Sequence, residues 1–222
     1  MKDGLARFSA LVRACRERAL DLFAPPRCAA CAGPRAGKPP FCVTCGEPAP
    51  ALPWTLDGVP LLAAGVYQAP LAPAIRRFKF EGHSELAPEL ARLLGAWLAF
   101  FALERALFVP VPLHRARLVE RGYNQSALLA RTLARELGAR THPRVLERTR
   151  ATEQQAALDR RARGDNVRGA FRVRARAPSG PIVLVDDVVT TGATARACVD
   201  ALRQAGSRVV LVAALARTEG KF

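Results

Sequence analysis

Lysine is nearly missing from this chain of 222 residues. It occurs only at positions 2, 38, 79 and 221, so arginine supplies almost all of the 34 basic side chains. Long apolar runs are missing too. The most apolar one, residues 93–103, is about half of what a bilayer crossing needs, which excludes membrane insertion through it. Charges run throughout the first residues, with no compact apolar region before a small-residue cleavage site, so a secretory signal is excluded and a cytoplasmic location is expected. A Gly-x-x-x-x-Gly-Lys-[Ser/Thr] loop is absent. The only Gly-Lys pairs are Gly37-Lys38 and Gly220-Lys221, which excludes a P-loop ATPase. Neither internal repeats nor heptads are found.

What is there suits a folded chain. A hydrophobic fraction of 50% is ample for a core, and the length fits one α/β domain with room for a small N-terminal module. The formal charge of +15 favours polyanions or phosphorylated ligands. Residues 140–176 hold eleven Arg against four acidic residues. Two readings stay open: a nucleic-acid contact through Arg160, Arg161 and Arg163, or compositional drift in which arginine replaces lysine everywhere. Charge by itself reports only non-specific affinity.

The most informative stretch is residues 181–194. Ile182 to Val185 read as a buried parallel strand, with Asp186 and Asp187 where it should end. A turn rich in Thr and Gly follows, then a helical pattern from about Ala195 to Ala205. Ligands of open α/β sheets bind beyond the carboxyl ends of strands. Backbone N–H groups at a helix start, with Gly192 allowing close approach, suit a phosphate. Carboxylates beside such a cradle need hydroxyls or a metal. A ribose 5-phosphate satisfies both halves: Thr190, Thr191, Gly192, Ala193 and Thr194 take the phosphate, and Asp186 and Asp187 take the 2- and 3-hydroxyls. The stretch resembles the phosphoribosyl-pyrophosphate motif of type I phosphoribosyltransferases.

Cys28-x-x-Cys31 and Cys42-x-x-Cys45, ten residues apart, present four thiolates at the spacing of a structural zinc site. The Gly- and Pro-rich spacer is too short for a core of its own, so a metal would order it. Four Cys ligands leave no open position for substrate, and disulfides do not suit a reducing compartment.

Around these motifs the periodicity predicts an N-terminal helix within residues 1–24, with Cys15 on its apolar stripe, and a zinc-ribbon module over 25–50. A Pro-rich stretch without regular structure covers residues 47–60, of which 51–60 form the linker between the module and a main domain spanning 61–222. Within that domain, strands are expected at 61–67, 107–113, 170–174 and 207–215. Helices are expected at 71–80, 85–103 (Trp97 in the core) and 125–137. A loop carrying Arg115, Arg117 and Arg121 would hold a dianion, and residues 139–169 form an irregular connector. Cys198 is expected to pack within the final helix.

The order of zinc knuckle, Val109-Pro-Val-Pro-Leu113, Arg121-Gly-Tyr-Asn-Gln125, Thr152-x-x-Gln155-x-x-Leu158, Arg163-x-x-Asn166, Gly169-Ala-Phe171 and the Asp-Asp motif resembles the ComF family of competence-associated proteins. The resemblance implies a bacterial cytoplasmic protein with an N-terminal zinc ribbon and a type I phosphoribosyltransferase-like α/β domain. It implies handling of incoming single-stranded DNA during natural transformation, beside uptake machinery such as a ComF-type helicase. The ligand would be phosphoribosyl pyrophosphate with Mg²⁺ bridging ribose and pyrophosphate, Asp186 and Asp187 being the catalytic carboxylates. Arg121, with Arg115 and Lys79, would meet the pyrophosphate. The other reading is an active transferase of nucleotide metabolism with an unknown acceptor base. Enzymes for 6-oxopurines carry an Asp where Thr190 stands, which argues against that specificity, since Thr is a poor proton carrier near neutral pH. Transcription factors of the same fold keep the motif without chemistry.

Overall fold

The computed structural model describes residues 25–37, 39–150, 167, 169–174 and 178–219. The expected N-terminal helix with Cys15, and Arg160, Arg161 and Arg163, lie outside the described residues.

Trp54–Leu56 (β1) and Val59–Val66 (β2) form an antiparallel hairpin, followed by helices Leu71–Phe80 (α1) and Ala87–Leu98 (α2). Leu107–Pro110 (β3) leads to Arg115–Arg121 (α3), Gln125–Glu136 (α4), Arg140–Thr141 (β4) and Leu146–Arg148 (β5). Phe171–Val173 (β6), Pro181–Val189 (β7), Ala193–Gln204 (α5) and Arg208–Arg217 (β8) complete the chain. The main sheet has the order β1-β2-β8-β7-β3-β4 and is parallel except at its β1 edge, while β5 and β6 form a separate antiparallel pair. This is the expected α/β architecture of a mostly parallel sheet flanked by helices, with a cysteine cluster at its N-terminal side. No helix among the described residues is long and apolar enough to cross a membrane.

Strands buried on both faces need apolar residues at every position rather than at alternate ones, and β7 obeys. Val183 and Val185 pack with Phe108, Leu211 and Leu215 against Ile75, Phe78, Leu90, Leu94 and Leu129 of α1, α2 and α4. Ile182 and Leu184 pack with Val109 and Val212 against Cys198, Val199 and Leu202 of α5. The sheet is thus the middle of three layers, and Cys198 is buried as expected.

The knuckle is not a separate bead. Cys28, Ala29 and Phe41 belong to the same buried cluster as α1 and α2. Arg77 Nη1 of α1 donates to the carbonyls of Cys28 (3.1 Å) and Ala29 (2.9 Å), and Arg35 is ion-paired to Glu89 of α2.

Several expectations need correction. The Pro-rich stretch is not wholly irregular: β1 and the start of β2 lie within it, because Leu56 and Val59 can be buried while Pro60 sits exposed in a hairpin arm. The basic loop is in fact the helix α3. His114 Nδ1 caps it by accepting from the Ala116 N–H, and Gly122 ends it in the left-handed region; none of its residues is buried, so no apolar periodicity could reveal it. The second long helix is a short turn, Ser84–Leu86, followed by α2, which stops at Leu98. Trp97 is not core but half exposed: it stands at the flank of the stripe formed by Leu90, Ala91, Leu94 and Leu98. The connector is structured at its start, where β4 joins the main sheet and β5 pairs with β6.

Candidate functional site

Strand β7 runs on to Val189, paired with β8, so Asp186 and Asp187 lie inside its last turns of pleat rather than at its end. Successive side chains on a strand point to opposite faces. Asp186 follows Leu184 toward the α5 side, and Asp187 follows Val185 toward the α1 side. Adjacent in sequence, the two carboxylates therefore have different partners. Lys79 Nζ of α1 sits 2.8 Å from Asp187 Oδ1, both side chains being largely buried. Asp186 Oδ1 accepts from the Asp187 backbone N–H (2.8 Å) and from Ser126 Oγ of α4 (3.3 Å). Burial, then the charge of Asp187, pushes the Asp186 carboxyl up to about 7, although Lys79 and the two hydrogen bonds pull it back.

The turn beyond β7 leads directly into α5. Gly192 stands at φ +77° and precedes the first residue of α5, whose first N–H groups have no acceptor within the helix itself. The glycine has a second reason. A Cβ there would lie 2.7 Å from Leu56 Cδ1 and 3.0 Å from a Trp54 ring atom, so the β1 hairpin closes directly over the turn. Thr190 is exposed, Thr191, Ala193 and Thr194 are partly so, and Thr191 Oγ1 accepts from the Ala193 N–H at 3.4 Å.

Of the residues expected at the pyrophosphate, Lys79 is brought to the carboxylate pair. Arg121 stacks on Phe80, next to Lys79 in the chain, with its guanidinium carbon 4.7 Å from the ring centre. Arg115 is exposed at the start of α3 and forms no ion pair among the described residues.

Sequence reasoning placed Asn124 and Gln125 in the family motif without a role and missed Ser126, and the three form a polar cluster at the start of α4. Asn124 caps that helix and donates to the Val111 carbonyl at 3.0 Å; Ser126 reaches Asp186; and the fully buried Gln125 amide makes no hydrogen bond among the described residues. Three consecutive polar residues opening a helix whose next turns are apolar were the available signal. Arg148 was missed as well. It lies over the Phe171 ring, in the electrostatic reach of Cys198 and Asp186, and burial holds its guanidinium below the ordinary value. No residue of a strand end in the antiparallel pair β5–β6 signals this in sequence.

The four knuckle sulfurs all lie within 4.8 Å of one another, and none is in a disulfide. A tetrahedral ion with Zn–S bonds of about 2.3 Å requires sulfurs about 3.8 Å apart; Cys31 Sγ and Cys42 Sγ are 3.8 Å apart. The backbone also supports thiolates: Gly33 N–H points at Cys31 Sγ and Cys42 N–H at Cys28 Sγ. Burial raises the Cys28 thiol, but the N–H groups of Cys31, Cys42 and Ala30 outweigh it and bring it to about 6. Burial and the neighbouring sulfurs push Cys45 up to about 12. Only a cation would let all four ionise together, so the residues fit a structural zinc ion.

No protein-family model matches the chain. It is 36% identical over 204 residues to "DNA utilization protein YhgH" of Salmonella typhimurium, covering 86% of this chain and 90% of that protein. It is 34% identical over 167 residues to "Competence protein F" of Haemophilus influenzae, covering 71% and 72%. "Competence protein ComFC" of Bacillus subtilis matches at 27% over 130 residues, 58% of this chain and 51% of that protein. Among solved structures, TT1426 from Thermus thermophilus shows a slight likeness, with a TM-score of 0.34 and 21% identity over 60% of this chain and 85% of that one.

Proposed function

Because this chain belongs to the ComF family of competence and DNA-utilization proteins, we propose that it binds phosphoribosyl pyrophosphate at the end of β7 and handles single-stranded DNA in the cytoplasm during DNA uptake. The observation that carries the ligand half is the carboxylate pair Asp186–Asp187 standing beside a glycine turn at the start of α5. Hydroxyl groups of a ribose are donors from which the two clustered carboxylates can accept beyond the contacts they already make, and the 5-phosphate is an acceptor suited to N–H groups at a helix start. Thr190, Thr191 and Thr194 add hydroxyls to that cradle. Lys79 stands at the carboxylate pair, and Arg121 stacks on Phe80, the next residue of α1. Mg²⁺, held by the carboxylates together with the ligand, would supply Lewis-acid stabilisation of the leaving pyrophosphate. If turnover occurs, positive charge developing on the ribose ring would be stabilised by Asp186 and Asp187. The acceptor would not be a 6-oxopurine served by an acidic residue at Thr190.

Calorimetry of phosphoribosyl pyrophosphate with Mg²⁺ tests this reading. Wild type is expected to bind in the micromolar range. In Asp186→Asn/Asp187→Asn, the loss of two charge-assisted contacts should weaken binding about 100-fold or more. Folded, zinc-replete wild type that fails to bind would sink the ligand reading.

The DNA half draws on the relatives' names and on the eleven arginines of residues 140–176. Single-stranded oligonucleotides are expected to bind with a steep salt dependence, the slope falling by about 0.7 for each phosphate that is no longer neutralised. Arg160→Glu/Arg161→Glu/Arg163→Glu should flatten that slope. An unchanged slope would mean that these arginines are compositional.

A further inference from the structure

Four consecutive residues at the end of α1 each touch a different part of the molecule. Arg77 donates to the carbonyls of Cys28 and Ala29 in the knuckle, and its other terminal nitrogen meets His83 Nε2 at 3.2 Å. The Phe78 carbonyl accepts from the Tyr123 hydroxyl. Lys79 holds Asp187, and Phe80 lies under Arg121. Three of these contacts tie the helix to the β7 and α3–α4 side. Arg77 forms the hydrogen bonds that tie it to the knuckle.

We propose that Arg77 is a positioning residue that couples the metal knuckle to the acidic pair, holding α1 where Lys79 can reach Asp187. Residues 77 and 79 are separated by about 3 Å of helix rise, too little for one to move without the other. Arg77 grips backbone carbonyls, not side chains, and one of them belongs to Cys28, whose sulfur is a knuckle ligand. Ordering of the knuckle by its ion therefore sets the place of Arg77's acceptors. Besides Arg77, the knuckle is held by turns, one isolated bridge between Arg27 and Pro34, a short buried face, and Arg35. Arg35 donates to the carbonyls of Arg27, Gly37 and Pro39 and pairs with Glu89 of α2, so Arg77 is the knuckle's tie to α1 and not its sole anchor. Such a link gives the closed zinc site, which has no position for substrate, a function at the ligand site. It deepens the ligand-site reading by naming what keeps Lys79 in place.

The scarcity of lysine provides the test. Lys79 is one of four, and its ammonium is largely buried on Asp187, while Lys2 and Lys221 serve as references near the chain ends. The full chain, zinc-loaded, is treated with a limiting amine-acylating reagent and each lysine is quantified by mass spectrometry. In Arg77→Ala with zinc still bound, Lys79 labelling relative to Lys2 and Lys221 should rise about five-fold or more. Arg77→Lys, which keeps a cationic donor, should restore most of the protection, which a general loosening would not allow. Arg77→Gln, which keeps the bulk of the stem but whose shorter neutral amide falls short of the two carbonyls, replaces the alanine variant if that one fails to fold, and should give a similar or somewhat smaller rise. Lys79 as protected in the folded, zinc-bound variant as in wild type would overturn the proposal. No ligand enters this experiment. Unmasking of Lys79 without phosphoribosyl pyrophosphate binding to wild type would remove the ligand reading and keep the coupling, and the opposite pattern would remove the coupling alone.

Discussion

At pH 8, Asp186→Asn is expected to be more stable than the wild type, although it removes half of the candidate ligand site. Burial and the neighbouring Asp187 hold the Asp186 carboxyl near 7, against a value of about 4 in an unfolded chain. Between those values the folded protein keeps a proton that the unfolded chain has released. Stability present below about pH 4 is therefore lost as the pH rises through about 7. A shift of three units corresponds to a ceiling of about 4 kcal/mol, and the coupling with Asp187 and Lys79 makes about 2 kcal/mol a reasonable expectation. Asparagine keeps the shape and an oxygen for the Asp187 N–H and the Ser126 hydroxyl, and carries no charge to desolvate. Urea unfolding at pH 5 and pH 8 checks it: wild type should lose stability over that interval and the variant should lose much less. An Asn variant less stable than wild type at pH 8 would show that Asp186 is stabilising as a carboxylate. A buried charge kept at a cost in stability is what a binding site requires.

Removing the knuckle metal is expected to have the larger thermal effect. Its cysteines and their neighbours do not merely decorate the surface: Cys28 and Ala29 are fully buried, and Phe41 nearly so, in the cluster that also holds Ile75, Phe78 and Leu90. Without a cation, four sulfurs within 4.8 Å cannot all be thiolates, and burial together with hydrogen bonding among the neighbouring sulfurs pushes the Cys45 thiol up to about 12. Structural zinc supplies on the order of 10 kcal/mol of binding free energy in isolated knuckles. Here part of the module stays packed on α1 and α2, so a loss of about 4 kcal/mol is a fair expectation, or roughly 10 °C in melting temperature for a chain of this size. Cys28→Ser should lose most of it, since that sulfur is the most buried of the four. The check is a melting curve with and without a chelator, together with a colorimetric count of one zinc per chain. A folded protein that contains no metal, or an unmoved melting curve after its removal, would refute the structural role.

Most of the backbone could be read along the chain. The apolar run Ile182–Val185 announced a parallel strand because a strand buried on both faces has no polar alternation to hide it. The range of α1 and the start of α4 followed from helical periodicity. The paired Cys-x-x-Cys spacing placed four sulfurs together, as the structure does, because ligand spacing on so short a spacer leaves the sulfurs few other arrangements. The Asp-Asp and Thr-Gly elements likewise lay beside one another through local chain connectivity.

What no reading of the chain could give is which distant residue meets which. That Lys79 closes on Asp187, Ser126 on Asp186, and Trp54 and Leu56 on Gly192 depends on α1, α4 and the β1 hairpin converging at one end of β7. Those approaches join residues far apart in the chain and leave no local periodicity. α3 stayed hidden for a related reason, having no buried face to mark it. Trp97 was misplaced because its apolar character says that it can be buried, while only the packing of α2 decides how much of it is. Local pattern specifies elements and nearby ligands; the pairing of charges that makes the candidate site is set by tertiary contact alone.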